Sequence, residues 1–247
     1  MQRELIALLL ALAPLAEAVA DMCSSGANGC AQVEGVPTVS TTSHQITHDS
    51  AIDAGSNIYV AGRNTEDGAY TGCSDTVNGA YTPMGAGDIE HSGQANFHAG
   101  GFYFLNSAAG SPTITCVTDI SVSGRLVSMV STGFPTFIDA DAVEGAFSSG
   151  VFTATDLVTG TASGQVTVSI LAAGATNASA PNGDETEQFE LDNRFQIQDE
   201  STGSGNQSPS WSNGADINAI AMSVIVGPAA AGGLLMHMNQ GLSNAAL

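Results

Sequence analysis

Gln165-Val166-Thr167-Val168-Ser169-Ile170-Leu171 is the stretch that decides the fold class. Val166, Val168 and Ile170 recur at every second residue, with Thr167 and Ser169 between them. A period of two marks an extended strand, because successive side chains leave a pleated backbone on opposite sides. The spacing predicts one buried Val/Ile face and one wet Thr/Ser face.

The same reading extends in both directions. Val36–Thr41, Asn57–Gly62, Phe102–Leu105, Thr113–Thr118, Arg125–Ser131, Glu187–Ile197 and Ile217–Val226 are further short apolar segments set between turn residues. In the last, Ile220, Met222, Val224 and Val226 form an apolar face. No amphipathic helical stretch of useful length separates the segments, so a parallel α/β sheet would lack its crossover helices. Together they predict an all-β domain over residues 33–228, a two-sheet antiparallel β-sandwich.

Composition agrees. In 247 residues there are 29 glycines, while charged residues make up 11% and aromatics 6%, as in a turn-rich β protein. The charge is lopsided: 24 acidic residues face four basic ones, for a net charge of −20. The four are Arg3, Arg63, Arg125 and Arg194, and there is no lysine. Phosphate backbones need a cationic face, so nucleic acid is excluded as a direct partner. The acidity predicts a solvated outer surface that repels its own copies and gathers divalent cations on carboxylate clusters.

The ends depart from the strand pattern. Residues 1–20 are apolar, with Leu5, Leu8, Leu9 and Leu12 on one helical face, and read as a docking helix. The rival is a secretory signal ending at Ala18-Val19-Ala20. Residues 21–32 form a small-residue linker, and residues 229–247 a C-terminal tail whose Leu234, Leu235 and Met236 make a second docking patch. Neither end is read as a membrane anchor in the mature form. Cys23, Cys30, Cys73 and Cys116 fit no zinc or redox spacing. Of the three possible pairings, Cys23 with Cys30 would close a short Gly- and Ser-containing loop.

Taken in order, these segments resemble the Ig-like or jelly-roll-like β-sandwich domains of bacterial surface proteins and tailed-phage virion proteins. The resemblance rests on the Ser74–Thr82 hairpin, on Gly101-Phe102-Tyr103-Phe104-Leu105 followed by Thr113-Ile114-Thr115-Cys116-Val117, and on Val127–Gly133. It continues through Gly164–Val168 and the closing Ala219–Val224 strand before Pro228. One departure is the order Asn78-Gly79, where the family hairpin has Gly-Asn; it is still a good tight-turn pair. Such a resemblance implies the fold and leaves the activity open.

Chemistry is sparse. There is no GxSxG elbow, HExxH helix or GxxxxGK[ST] loop. His44 and His48 read as surface residues, about 13 Å apart on a strand by the usual rise. His91 and His98 flank a Gly-containing loop with Asp88 and Glu90, the nearest thing to a mixed titratable cluster, and read as solvated. Asp139, Asp141 and Glu144 make an acidic group, as do Asp184, Glu185 and Glu187, and neither fits a calcium loop. Trp211 reads as core.

These readings predict a non-catalytic virion protein, a capsid decoration, head-fibre or tail component that docks on other virion proteins and sister subunits. No cofactor and no metal is expected. The alternative is a secreted surface module that binds host glycan. A weaker one is a carbohydrate-active enzyme with its acid and base among Asp88, Glu90, Asp139 and Asp141.

Overall fold

The computed structural model describes residues 33–34, 40–48, 51–175, 179–181, 186–191, 194–202, 204–213 and 215–228. Among the described residues there are strands and no helix. Nine strands come first: β1 (Val33–Glu34), β2 (Thr41–Thr47), β3 (Asn57–Asn64), β4 (Tyr70–Asp75), β5 (Gly79–Ala80), β6 (Thr82–Glu90), β7 (His98–Phe104), β8 (Thr113–Val122) and β9 (Gly124–Ser131). Ten follow: β10 (Thr136–Ala146), β11 (Val151–Thr153), β12 (Val158–Gly160), β13 (Gln165–Ala173), β14 (Ser179–Pro181), β15 (Thr186–Leu191), β16 (Phe195–Thr202), β17 (Gly205–Gln207), β18 (Ser210–Asn213) and β19 (Asn218–Gly227).

The all-β expectation holds, and the expectation of one two-sheet sandwich does not. Among the described residues the strands divide among five antiparallel sheets. The predicted N-terminal helix, the linker and the C-terminal tail lie outside the described residues, and with them Leu5, Leu8, Leu9, Leu12, Cys23, Cys30, Leu234, Leu235 and Met236.

The two five-stranded sheets have orders β1-β9-β3-β7-β6 and β10-β19-β13-β16-β15. In each, the first strand of its half lies beside the last, followed by the third of the main set. The outer sheets correspond in the same way, β2-β8-β4 with the stub β5 in one half and β11-β18-β14 in the other. Setting aside β5 and the separate β12–β17 pair, the two halves share one interleaved strand order. The chain is therefore a tandem repeat of one sandwich, which a single-sandwich reading cannot contain.

The halves join through their five-stranded sheets. Tyr59, Ala61, Val127 and Met129 of the first meet Val168, Ile170, Met222 and Val224 of the second in one core. The reverse face of the first sheet, with Ile58, Val60, Leu126 and Val130, packs on Ile46, Ile114 and Cys116 of its outer sheet. The reverse face of the second, with Leu171, Ala221 and Ile225, packs on Phe152 and Trp211, with Phe147 and Val158 beside them. Four layers result, and the two in the middle are dry on both sides.

This layering corrects the reading of Gln165–Leu171. All nine residues of β13 are buried, and Thr167 and Ser169 are only 2% and 1% exposed. The predicted wet face is covered by the outer sheet of its half. A buried hydroxyl is tolerable when it is hydrogen-bonded, and Ser169 Oγ lies 2.8 Å from Ser223 Oγ on β19. At the matching position of the first half Ser128 on β9 stands opposite Val60 and bonds His48 Nε2 at 3.0 Å.

Segments that escaped the strand reading are explained by position. β6 and β10 are edge strands. Edges tolerate Pro83, which has no N–H to give to a ladder, and benefit from charges such as Asp139 and Asp141 that discourage pairing with another chain. The predicted single strand Glu187–Ile197 is two strands, β15 and β16, paired with each other. Asn78-Gly79 does form the expected hairpin, with Gly79 at φ 91°. Asp75 fastens it, accepting the Val77 N–H at 2.6 Å, the Asn78 amide and the Tyr81 hydroxyl at 2.6 Å. Partial burial pushes the Asp75 carboxyl up, but these bonds outweigh it and hold it below the usual carboxylate range.

Candidate functional site

The cluster begins with strand register. β7 lies between β3 and β6, so His98 is directly opposite both Asn64 and Glu90. Asp88 is two residues before Glu90 and therefore on the same side of β6. The turn after β3 returns over this end of the sheet. Asn64 closes it by donating to Gly68 O at 2.6 Å and accepting from the Glu66 and Gly68 amides. Asp67 sits in that turn at φ 69°, with its N–H donating to Asn96 O.

His98 is 5% exposed. Asp88 Oδ1 accepts the Tyr70 N–H at 2.9 Å, and Asp88 Oδ2 lies 2.9 Å from His98 Nδ1. An ionised carboxylate only accepts, so Asp88 Oδ2 takes the proton of His98 Nδ1. Nε2 is buried and makes no hydrogen bond. It points to the Asp67 carboxylate, 3.5 Å away. Asp67, Glu90 and His98 each offer one ligand atom, and the three lie within 4.8 Å of one another. Burial pushes the Asp88 carboxyl up, against the His98 and Tyr70 bonds that favour its charged form.

His91 has the opposite arrangement. Its Nδ1 accepts the Gly93 N–H at 3.0 Å, which leaves the proton on Nε2 to donate to Gly145 O at 2.7 Å. Gly145 is on β10, so this histidine ties one half of the repeat to the other. Beside it Glu144 accepts the Ser92 N–H. Slight burial pushes the Glu144 carboxyl up, but Ser92 and the nearby His91 outweigh it and hold it below its ordinary value.

Of the sequence candidates, His44 and His48 are not surface residues: each is 1% exposed. His44 is on β2 of the outer sheet and His48 directly follows it, and they face inward, His48 reaching Ser128 on β9. His44 lies against Tyr70, with ring centroids 6.2 Å apart, and burial lowers its pKa. The solvated-loop reading of His91 and His98 fails for the same reason, since both are buried. Asp139 accepts the Ala140 and Thr159 N–H groups, Asp141 the Ala142 N–H, and neither belongs to the His98 cluster. Trp211 is core, fully buried and stacked on Phe152 at 5.7 Å. Cys73 and Cys116, directly opposite on β4 and β8, form a disulfide in the first sandwich. Asp67 went unnoticed in the sequence because its link to His98 runs through strand register.

Among the described residues no helix is long and apolar enough to cross a membrane. No protein-family model and no curated protein matches the chain. Among solved structures it is similar to the major capsid protein P2 from Bacteriophage PM2, at 10% identity and a TM-score of 0.29, over 82% of this chain and 99% of that one.

Proposed function

We propose that this chain is a non-catalytic structural subunit of a virus particle. The observation that carries the reading is the fused build. Two sandwiches of one strand order share a buried interface between their five-stranded sheets, so the molecule is a thick slab whose middle layers lose water on both sides. Such a slab suits a part that must keep its shape while neighbours press on it, because close-packed interiors yield little.

Three further features support it. The net charge of −20 keeps free copies apart until specific contacts join them. The Cys73–Cys116 disulfide suits a final place outside a reducing cytosol, a virion surface included. Of the carboxylates that an acid–base pair would draw on, three aspartates are bound in structure, Asp88 by Tyr70 and His98, Asp139 by Ala140 and Thr159, and Asp141 by Ala142. In this reading Leu5, Leu8, Leu9, Leu12, Leu234, Leu235 and Met236 are the contacts with sister subunits and other virion proteins, each apolar Å² buried contributing about 25 cal/mol before ordering costs.

The test is to purify particles from the source on a density gradient and count this chain by quantitative mass spectrometry. The proposal expects the chain to band with the particle in many copies. Recovery only as free protein in the surrounding fluid overturns it.

A further inference from the structure

We propose that Asp67, Glu90 and His98 form a binding site for a divalent transition-metal ion of the zinc class. The ligands are His98 Nε2 and one carboxylate oxygen from each acid, and water completes a tetrahedral set. The inference is independent of the virion reading.

Two separate observations carry it. The first is convergence: three metal-capable atoms from three different segments lie within 4.8 Å of one another. The second is the state of the histidine. His98 is nine-tenths buried, and its Nε2 makes no hydrogen bond although it is shut away from water. A buried polar atom that makes no hydrogen bond, with only the Asp67 carboxylate 3.5 Å away, costs free energy, so its retention asks for an explanation. A metal supplies one, since Nε2 faces Asp67 and the ligand atoms of Asp67, Glu90 and His98 lie within 4.8 Å of one another.

Asp88 completes the case as a positioning residue. It accepts the Nδ1 proton at 2.9 Å, which fixes the ring orientation and the tautomer that a metal requires at Nε2. Metal-binding histidines characteristically pass their second N–H to a carboxylate in this way. His91, whose two ring nitrogens are taken by Gly145 O and the Gly93 N–H, has no such open position.

The donor set selects the ion. An imidazole nitrogen suits zinc and its neighbours, whereas calcium and magnesium take oxygen ligands. Zinc bonds of roughly 2.0–2.2 Å require the three atoms to draw together from their present spacing. Asp67 and Glu90 are both exposed and free to swing, while His98 is held. The bound ion would fasten the β3–β4 turn to the paired ends of β6 and β7.

The experiment uses the full chain, oxidised and stripped with a chelator, titrated with zinc in a large excess of calcium so that loose binding to surface carboxylates is suppressed. One zinc per chain is expected, with a rise in Tm and a displaced His98 Nε2 resonance in a long-range nitrogen–proton NMR spectrum. Asp67→Asn and Glu90→Gln, both at exposed positions, should fold normally and lose this binding. Asp88→Asn should weaken it roughly 10- to 100-fold, as expected for an outer carboxylate. Absence of zinc binding in calcium, or binding unchanged in Asp67→Asn and Glu90→Gln, overturns the proposal. So does a His98 Nε2 that stays protonated and unmoved by zinc, which would mark the ring as a cation held between Asp88 and Asp67.

Discussion

The two halves share a strand order but secure their outer sheets by different means. In the first, the outer sheet has strands of seven, six and ten residues plus a stub, and a disulfide joins two neighbours, β4 and β8. In the second, the outer strands span three, three and four residues among the described ones. So short a sheet offers few backbone bonds, and a stack of rings takes over. Phe152 lies on Trp211 at 5.7 Å, and Phe147 meets Phe152 edge-on at 5.9 Å. One topology can thus be closed by a covalent link or by aromatic burial.

The comparison can be broken in both halves. The largest loss is expected from Trp211→Ala, about 3–5 kcal/mol, because the indole is fully buried and its space cannot collapse under so small a sheet. Urea unfolding followed by far-UV circular dichroism measures it. Replacing Cys73 and Cys116 together by Ala should cost about 4 kcal/mol by loop entropy, since the bond spans 43 residues. Calorimetry should show a Tm lower by on the order of 10 °C. A double variant that loses much less than the sum would show that the two outer sheets support each other through the shared core.

Smaller effects sharpen the picture of the middle layers. Ser169→Ala leaves the Ser223 hydroxyl buried without its partner and should cost about 1–2 kcal/mol, while adding Ser223→Ala should cost little more or recover part of the loss. A double-mutant cycle reads this directly. The smallest effect is confined to acid. Asp75 titrates below its ordinary value in the folded chain, so its contribution is complete above about pH 4 and is lost as the pH falls through the depressed value. Asp75→Asn should flatten the acid limb of stability against pH and leave the neutral region changed only by the lost turn bonds.

Much of the fold was legible, and what escaped did so for physical reasons. The period-two pattern of Gln165–Leu171 correctly identified a strand. It could not reveal that Thr167 and Ser169 are buried, because a hydroxyl facing water and a hydroxyl facing another hydroxyl look the same in one chain. The repeat was hidden too, since equivalent strands such as Asn57–Asn64 and Gln165–Ala173 share position but little sequence. Only the apolar-apolar-Ser-apolar-apolar pattern of Leu126–Val130 and Ala221–Ile225 hints at it. At the site, Asp88, Glu90 and His98 stood out as a titratable cluster on proximity alone. Asp67 required the pairing of β3 with β7, and the burial of His98 required the layer above it.

Hydrogen exchange on the intact, oxidised chain tests the central claim most directly. The account predicts that amides of β3, β9, β13 and β19 exchange slowest and together, because these strands form the middle of one four-layer core. If β13 and β19 exchanged much faster than β3 and β9, the two sandwiches would be separate bodies and the fused slab would be wrong.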